Sequence, residues 1–177
     1  MNLRRISEVH HLPVLDLETG DMLGEIVSWI VSPTHNKILA YILTRQSFWK
    51  KASVIVPADI LEYAPKMVVV RDKESIIDPQ EIVGLIELMG DSWEVVGFQA
   101  VTETGKVLGR VADLVFETIS SSVYQYQIEP VALVGGWQDS LTIPANRVIR
   151  IEKNRLIFPD DILANVKLTA QPQTQTS

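Results

Sequence analysis

The 177-residue chain has an apolar fraction of 46% and a formal net charge of -6 at pH 7, values typical of a folded protein rather than a disordered one. Residues 1–90 carry 9 basic and 12 acidic side chains and residues 91–177 carry 7 and 10, so neither half offers the basic surface that direct nucleic-acid binding needs. The absence of cysteine excludes disulfides, thiolate metal sites and cysteine nucleophiles. No apolar run reaches the roughly 18 residues of a membrane span, and we expect a cytoplasmic protein.

One sequence pattern occurs twice. Residues 18–26, ETGDMLGEI, return as residues 103–111, ETGKVLGRV, at an offset of 85. Residues 54–59 return as 141–146 at an offset of 87, and residues 67–70 return as 155–158 at an offset of 88. Because the three matches keep the same order, we interpret the chain as two copies of one unit.

Each copy is predicted to consist of β-strands. The candidate strands are short runs rich in Val, Ile, Leu and aromatic residues, separated by turn-forming residues. They cover residues 23–31, 37–44, 53–56 and 67–70 in the first copy, and 108–116, 123–128, 140–143 and 155–158 in the second. The sequence therefore predicts an all-β protein of two small tandem barrels.

Glycine and proline recur at matched places in the two copies, and a structural role is expected for them. The glycines that follow Glu-Thr suit a tight hairpin at positive φ, and those inside a strand suit a bulge or a sharp bend. The prolines are expected to end strands, because proline cannot donate to the ladder. The six residues are Gly20, Gly24, Pro57, Gly105, Gly109 and Pro144.

A short amphipathic helix is predicted between the copies. Asp78 is placed as its N-cap, Pro79 at its first position and Glu81 to complete a capping box, with Gly90 placed to stop it. Its apolar face is expected to plug a barrel end or to pack between the barrels, and partner docking is the alternative. That face consists of Ile82, Leu85, Ile86 and Met89.

The predicted organisation has four parts. Residues 1–74 form the first repeat, residues 75–91 the linker helix and residues 92–168 the second repeat. Residues 169–177 are polar, contain a proline and show no apolar periodicity, so we expect a disordered tail.

The motifs resemble those of the PRC-barrel family. The first copy carries Leu-Pro-Val-x-Asp-x-x-x-Gly-x-x-Leu-Gly-x-Ile at residues 12–26 and Val-Pro-Ala-Asp at residues 56–59. The second copy is similar through residues 97–111, a Gly-Gly-Trp hairpin at residues 135–137 and Ile-Pro-Ala at residues 143–145. The resemblance covers most of residues 6–160.

This resemblance implies a six-stranded barrel that binds other molecules and has no enzymatic activity. The family includes barrels of the photosynthetic reaction-centre H subunit and of the ribosome-maturation factor RimM. The residues here contain neither the membrane-spanning helix of the former nor the preceding domain of the latter, so neither specific function transfers directly. Tandem copies resemble proteins of photosynthetic bacteria, which points to a photosynthetic complex by association.

No catalytic or metal-binding motif emerges from the residues. The sequence has no Gly-x-Ser-x-Gly elbow, His-Glu-x-x-His helix or glycine-rich phosphate loop. The histidines are His10, His11 and His35, and on an extended strand the adjacent pair would point to opposite sides. We therefore expect no enzyme, no metal and no cofactor.

The strongest binding candidates are basic and aromatic residues at equivalent hairpin tips. An exposed Trp beside cations is suited to bind a protein partner and could also settle on an anionic membrane surface. The alternative is that each indole folds back to cap its own barrel. The other two tryptophans, Trp29 and Trp93, are expected to lie in the core. The candidates are Arg45, Phe48, Trp49, Lys50, Lys51 and Trp137.

These observations favour a non-catalytic adaptor that binds a protein partner in the assembly or regulation of a larger complex. The first alternative is a RimM-like factor that binds a small-subunit ribosomal protein. The second is a carrier of a small ligand in a barrel mouth. Peripheral membrane association and homodimer formation stay open.

Overall fold

The computed structural model describes residues 2–44, 53–91, 93–130 and 140–165, and strands predominate in these ranges. The expectation of an all-β protein is thereby confirmed. The first sheet contains six strands, which are β2 (Pro13–Asp16), β3 (Met22–Val31), β4 (Ile38–Leu43), β5 (Ser53–Ile55), β6 (Ile60–Tyr63) and β7 (Val68–Val70).

The second sheet lies in the second half of the sequence and receives one strand from the first half. Its strands are β8 (Gln99–Thr102), β9 (Val107–Glu117), β10 (Val123–Pro130), β11 (Leu141–Pro144), β12 (Arg150–Glu152) and β13 (Arg155–Phe158). The added strand is β1 (Leu3–Arg5), which pairs with β9.

The two sheets share one strand order. The first runs β5-β4-β3-β2-β7-β6 and the second runs β11-β10-β9-β8-β13-β12, so corresponding strands have corresponding neighbours. Each sheet also contains one parallel pair at the same place, β2 with β7 and β8 with β13. The sequence repeat is therefore also a repeat of topology.

The predicted strands lie close to the observed ones. Residues 23–31 and 108–116 correspond to β3 and β9, and the six other predicted runs correspond to β4, β5, β7, β10, β11 and β13. The prediction omitted β1, β2, β6, β8 and β12, which have three or four residues each. Length alone does not set them apart, because the predicted strands β5, β7, β11 and β13 are equally short.

The structural glycines and prolines occupy the turns and strand ends. Gly20 and Gly105 have φ of 77° and 86°, which suits glycine because it has no Cβ to clash. The strand glycines adjoin register shifts in the pairing of β2 with β3 and of β8 with β9. Gly24 lies in β3 and Gly109 in β9, Pro57 begins the 3-10 helix Pro57–Asp59, and Pro144 is the last residue of β11.

The linker between the sheets differs from the predicted continuous helix. Asp78 does cap a turn, since its carboxylate accepts a hydrogen bond from the Gln80 N–H at 2.9 Å, but that turn is the 3-10 helix Pro79–Glu81. Gly84 has φ of 77°, a left-handed value that interrupts an α-helix. The helix α1 (Leu85–Gly90) begins only after it. The prediction of one helix from Pro79 was therefore wrong.

The core is largely shared between the copies. A single cluster of buried apolar side chains includes Tyr41 of β4 together with Phe116 of β9 and Tyr126 of β10. A smaller cluster lies where Leu85 of α1 packs with Ile30 of β3. Because the large cluster spans both sheets, the two copies are expected to unfold together. A second helix, α2 (Ile162–Asn165), follows the second sheet.

Candidate protein-binding site

The turns that follow β3 and β9 pair with each other across the junction of the two copies. Lys37 forms an antiparallel β-bridge with Ser122. Ser122 is also the residue that corresponds to Lys37 in the second copy, at the repeat offset of 85. The residues beside them exchange reciprocal backbone hydrogen bonds of 2.9 Å, from the Ile38 N–H to the Ser121 carbonyl and from the Val123 N–H to the Asn36 carbonyl. The local arrangement is therefore two-fold, with equivalent residues in equivalent contacts.

The side chain of Asn36 adds a contact without an equivalent in the other turn. Its carbonyl oxygen accepts a hydrogen bond from the hydroxyl of Tyr126, which is fully buried. Its amide nitrogen donates to the Ala145 carbonyl at 3.2 Å. One side chain of the first copy therefore satisfies polar groups at two places in the second copy.

Each copy also extends its leading segment to the long strand of the other copy. The segment before the first sheet supplies β1 to β9. The segment before the second sheet supplies the Trp93 carbonyl, which accepts from the Val31 N–H of β3 at 2.8 Å, and the Glu94 carbonyl, which accepts from the Trp29 indole at 2.7 Å. Trp29 is 5% exposed, as expected for a core residue, whereas Trp93 is half-buried.

Buried tyrosines lie on both sides of this junction. The hydroxyls of Tyr41 and Tyr63 are 3.1 Å apart, and the Tyr63 ring meets Phe116 of the other copy edge-on with ring centroids 5.6 Å apart. Burial raises the pKa of Tyr63 to about 12 and also raises the pKa values of Tyr41 and Tyr126. The neutral phenol is therefore the form that the fold accommodates.

Alkaline pH is expected to unfold the protein through these tyrosines. The pKa of Tyr63 is about 12 in the folded chain and about 10 in the unfolded chain. The stability that the neutral Tyr63 contributes is therefore fully present below about pH 10 and is lost as the pH rises towards 12. Tyrosine absorbance and circular dichroism should change together over that window. A chain in which all buried tyrosines ionised near pH 10 while the dichroism stayed constant would contradict this assignment.

A groove with a cavity of about 650 Å³ opens between the two copies. The residues of β6 form one wall, and residues of β1 together with the turn after β9 form the other. Three exposed apolar side chains line it, with Leu3 at 39%, Leu61 at 49% and Ile119 at 84% exposure. The Arg4 guanidinium donates to the Tyr63 carbonyl and so bridges the two walls. We call this cavity the junction groove.

A smaller cavity of about 260 Å³ adjoins the junction groove, and Ala58 and Leu61 line both. Its other residues are mainly charged. The carboxylates of Asp59, Asp72 and Glu74 line it together with the guanidinium of Arg71. This end of the groove therefore carries an excess of negative charge.

The structure does not describe the binding residues predicted from sequence. Trp137 and the five candidates of the first copy lie outside the described residues, so their contacts stay a prediction. Those five are Arg45, Phe48, Trp49, Lys50 and Lys51. The groove residues were missed because they come from three segments far apart in sequence, and a lone exposed Leu or Ile is no signal by itself.

The expected geometry of the adjacent histidines was wrong. His10 and His11 lie in a turn in which His11 has φ of 67°, and their rings stack with centroids 3.9 Å apart. Nδ1 of His11 is 2.7 Å from a carboxylate oxygen of Glu25. Within the described residues, no group of three or more His, Cys, Asp or Glu side chains is arranged to hold a metal ion.

The helices that the structure describes include none long and apolar enough to cross a membrane. Comparison with known proteins found no family model that matches this chain and no curated protein that matches it.

Proposed function

We propose that this chain is a non-catalytic adaptor that binds a protein partner in the assembly or regulation of a larger complex, with a photosynthetic complex as the expected setting. In this proposal each repeat is a small barrel of the PRC type. The shared six-strand order of the two sheets supports a repeated unit of that size.

The observation that carries the proposal is the junction groove. Both copies contribute to it, because Leu61 belongs to the first sheet and Ile119 to the turn of the second. Exposed apolar side chains beside one another at a concave surface are typical of places where another protein docks. The Arg4 guanidinium donates to the Tyr63 carbonyl and so holds the two walls of the groove together.

The hairpin tips are proposed as a second contact with the partner. The basic and aromatic residues Phe48, Trp49 and Lys50 have the composition of an interface anchor, in which the ring is buried and the cation fixes its orientation.

A double substitution tests this contact. The tagged full chain with Phe48→Ser and Trp49→Ser is expected to keep the wild-type circular dichroism and melting temperature but to lose most of its captured partner in crosslinking affinity purification from the native host. The loss follows from removal of two large apolar rings from the interface. Unfolding of the variant would assign the rings to the core, and undiminished capture would show that the tip makes no contact.

A further inference from the structure

The strand β6 is an edge strand whose outer side faces the junction groove. It ends the first sheet and pairs with β7 on its inner side, and no described strand pairs with its outer side. All its residues, Ile60–Tyr63, line the cavity. An edge strand presents unpaired backbone groups at alternate positions, and an extended peptide that enters beside it can pair with them.

Three exposed apolar side chains lie among the polar residues that line the groove beside β6. Leu61 is on β6, Leu3 is on β1 across the groove, and Ile119 stands at the turn after β9. An added strand directs alternate side chains to one face, so it could bring apolar residues against these three at once.

The negative charge around the groove favours a basic segment of the partner. Glu62 of β6 is exposed, and the adjoining cavity is lined by three carboxylates with one guanidinium. The Arg4 guanidinium already donates to the Tyr63 carbonyl, so this charge is engaged and this backbone acceptor of β6 is not free for an added strand. Lysine or arginine side chains at the ends of the segment would complement this excess of negative charge.

The corresponding edge strand in the second copy lacks this combination. At the offset of 88, Leu61 corresponds to Ile149, which is 45% exposed, and Glu62 corresponds to Arg150. Arg150 forms an ion pair of 2.7 Å with Glu152, so both charges of β12 are engaged with each other. The two copies are therefore inequivalent at this edge.

We infer that the junction groove binds an extended, apolar segment of the partner protein that is flanked by lysine or arginine and pairs as an added strand with β6. This inference rests on the proposed adaptor function and specifies the chemistry of the partner.

The test measures the binding of three labelled synthetic peptides to the full chain by fluorescence anisotropy. The first is Lys-Val-Thr-Val-Thr-Val-Lys with blocked ends, the second replaces both lysines by glutamate, and the third replaces the central valine by proline. The lysine peptide should bind at least roughly tenfold more tightly than the glutamate peptide, and added salt should reduce this difference. The proline peptide should bind at least roughly tenfold more weakly than the lysine peptide, because it lacks one backbone donor.

Two matched variants locate the site. Leu61→Lys introduces a positive charge on β6 and should weaken binding of the lysine peptide by roughly tenfold or more. Ile149→Lys makes the same change at the corresponding exposed position of the second copy and should leave binding unchanged. Equal affinity for all three peptides, or equal losses in the two variants, would overturn the inference.

The outcome is separable from that of the adaptor proposal. A chain that binds none of the peptides but still captures a protein partner through Phe48 and Trp49 would overturn the added strand and retain the adaptor. A chain that binds the lysine peptide at β6 but captures no partner from its host would retain the groove chemistry and overturn the adaptor.

Discussion

Replacing Asn36 by alanine is expected to destabilise the protein by about 3 kcal/mol, measured as the free energy of unfolding in urea. The substitution leaves the fully buried hydroxyl of Tyr126 without its acceptor and removes the hydrogen bond to Ala145. It also places alanine at φ of 54°, a value that asparagine tolerates better than alanine does. Both copies should still unfold in the same transition, because the large buried cluster spans both sheets.

Two controls separate these causes. Asn36→Gly removes the same hydrogen bonds, but glycine adopts the positive φ without strain. It should therefore lower the free energy of unfolding by less than Asn36→Ala does. Tyr126→Phe removes the hydroxyl itself, and the double variant Asn36→Ala with Tyr126→Phe should be more stable than the sum of the single losses predicts. Strictly additive losses would show that the Asn36–Tyr126 hydrogen bond contributes nothing to the junction.

Replacing Gly109 by alanine is expected to cost about 3 kcal/mol or to prevent folding of the second sheet. A Cβ at this position would lie 2.1 Å from the Glu129 carbonyl oxygen and 2.9 Å from Cγ2 of Ile128. Glu129 is paired with Arg110 in the β9–β10 ladder, so its carbonyl cannot move without breaking the register. Thermal denaturation followed by circular dichroism measures the loss.

The matched substitution in the first copy is Gly24→Ala. Gly24 and Gly109 share φ of 158°, so a backbone effect would be common to both. The nearest atom to a Cβ on Gly24 is Cβ of Leu43 at 3.4 Å, which is close to ordinary van der Waals contact. Gly24→Ala keeps the backbone strain, about 1–2 kcal/mol, but lacks the clash, so it should cost less than Gly109→Ala. Similar losses at the two positions would show that the clash with Glu129 is not the cause.

The parts of the fold that could be predicted from sequence are those set by local chemistry. The long strands β3 and β9 are rich in strand-forming residues, and the repeated Glu-Thr-Gly turn places Gly20 and Gly105 at the same point of each copy. The shared strand order of the two copies, by contrast, is visible only in the folded structure. β1, with the sequence Leu-Arg-Arg, has no strand signal of its own and becomes a strand because it pairs with β9.

The groove could not be predicted because no local pattern contains it. Leu3 and Ile119 lie between polar neighbours in the sequence, and Leu61 follows Ile60. The three line one groove because β1 pairs with β9 and Arg4 contacts the Tyr63 carbonyl. The break in the linker helix could not be predicted from local sequence either. Gly84 is compatible with a helix at a cost of about 1 kcal/mol, and in this chain it adopts a left-handed conformation instead.

The adaptor account is tested most directly by crosslinking affinity purification of the tagged full chain from its native host, with Leu61→Lys and Ile149→Lys in parallel. Wild type and Ile149→Lys should enrich the same partner, with crosslinks near the junction groove, and Leu61→Lys should lose that partner. Absence of any enriched protein would contradict the adaptor proposal, whereas equal capture by all three chains would contradict the junction groove as the place where the partner binds. Enrichment of small-subunit ribosomal proteins would contradict the photosynthetic setting and favour a ribosome-maturation role.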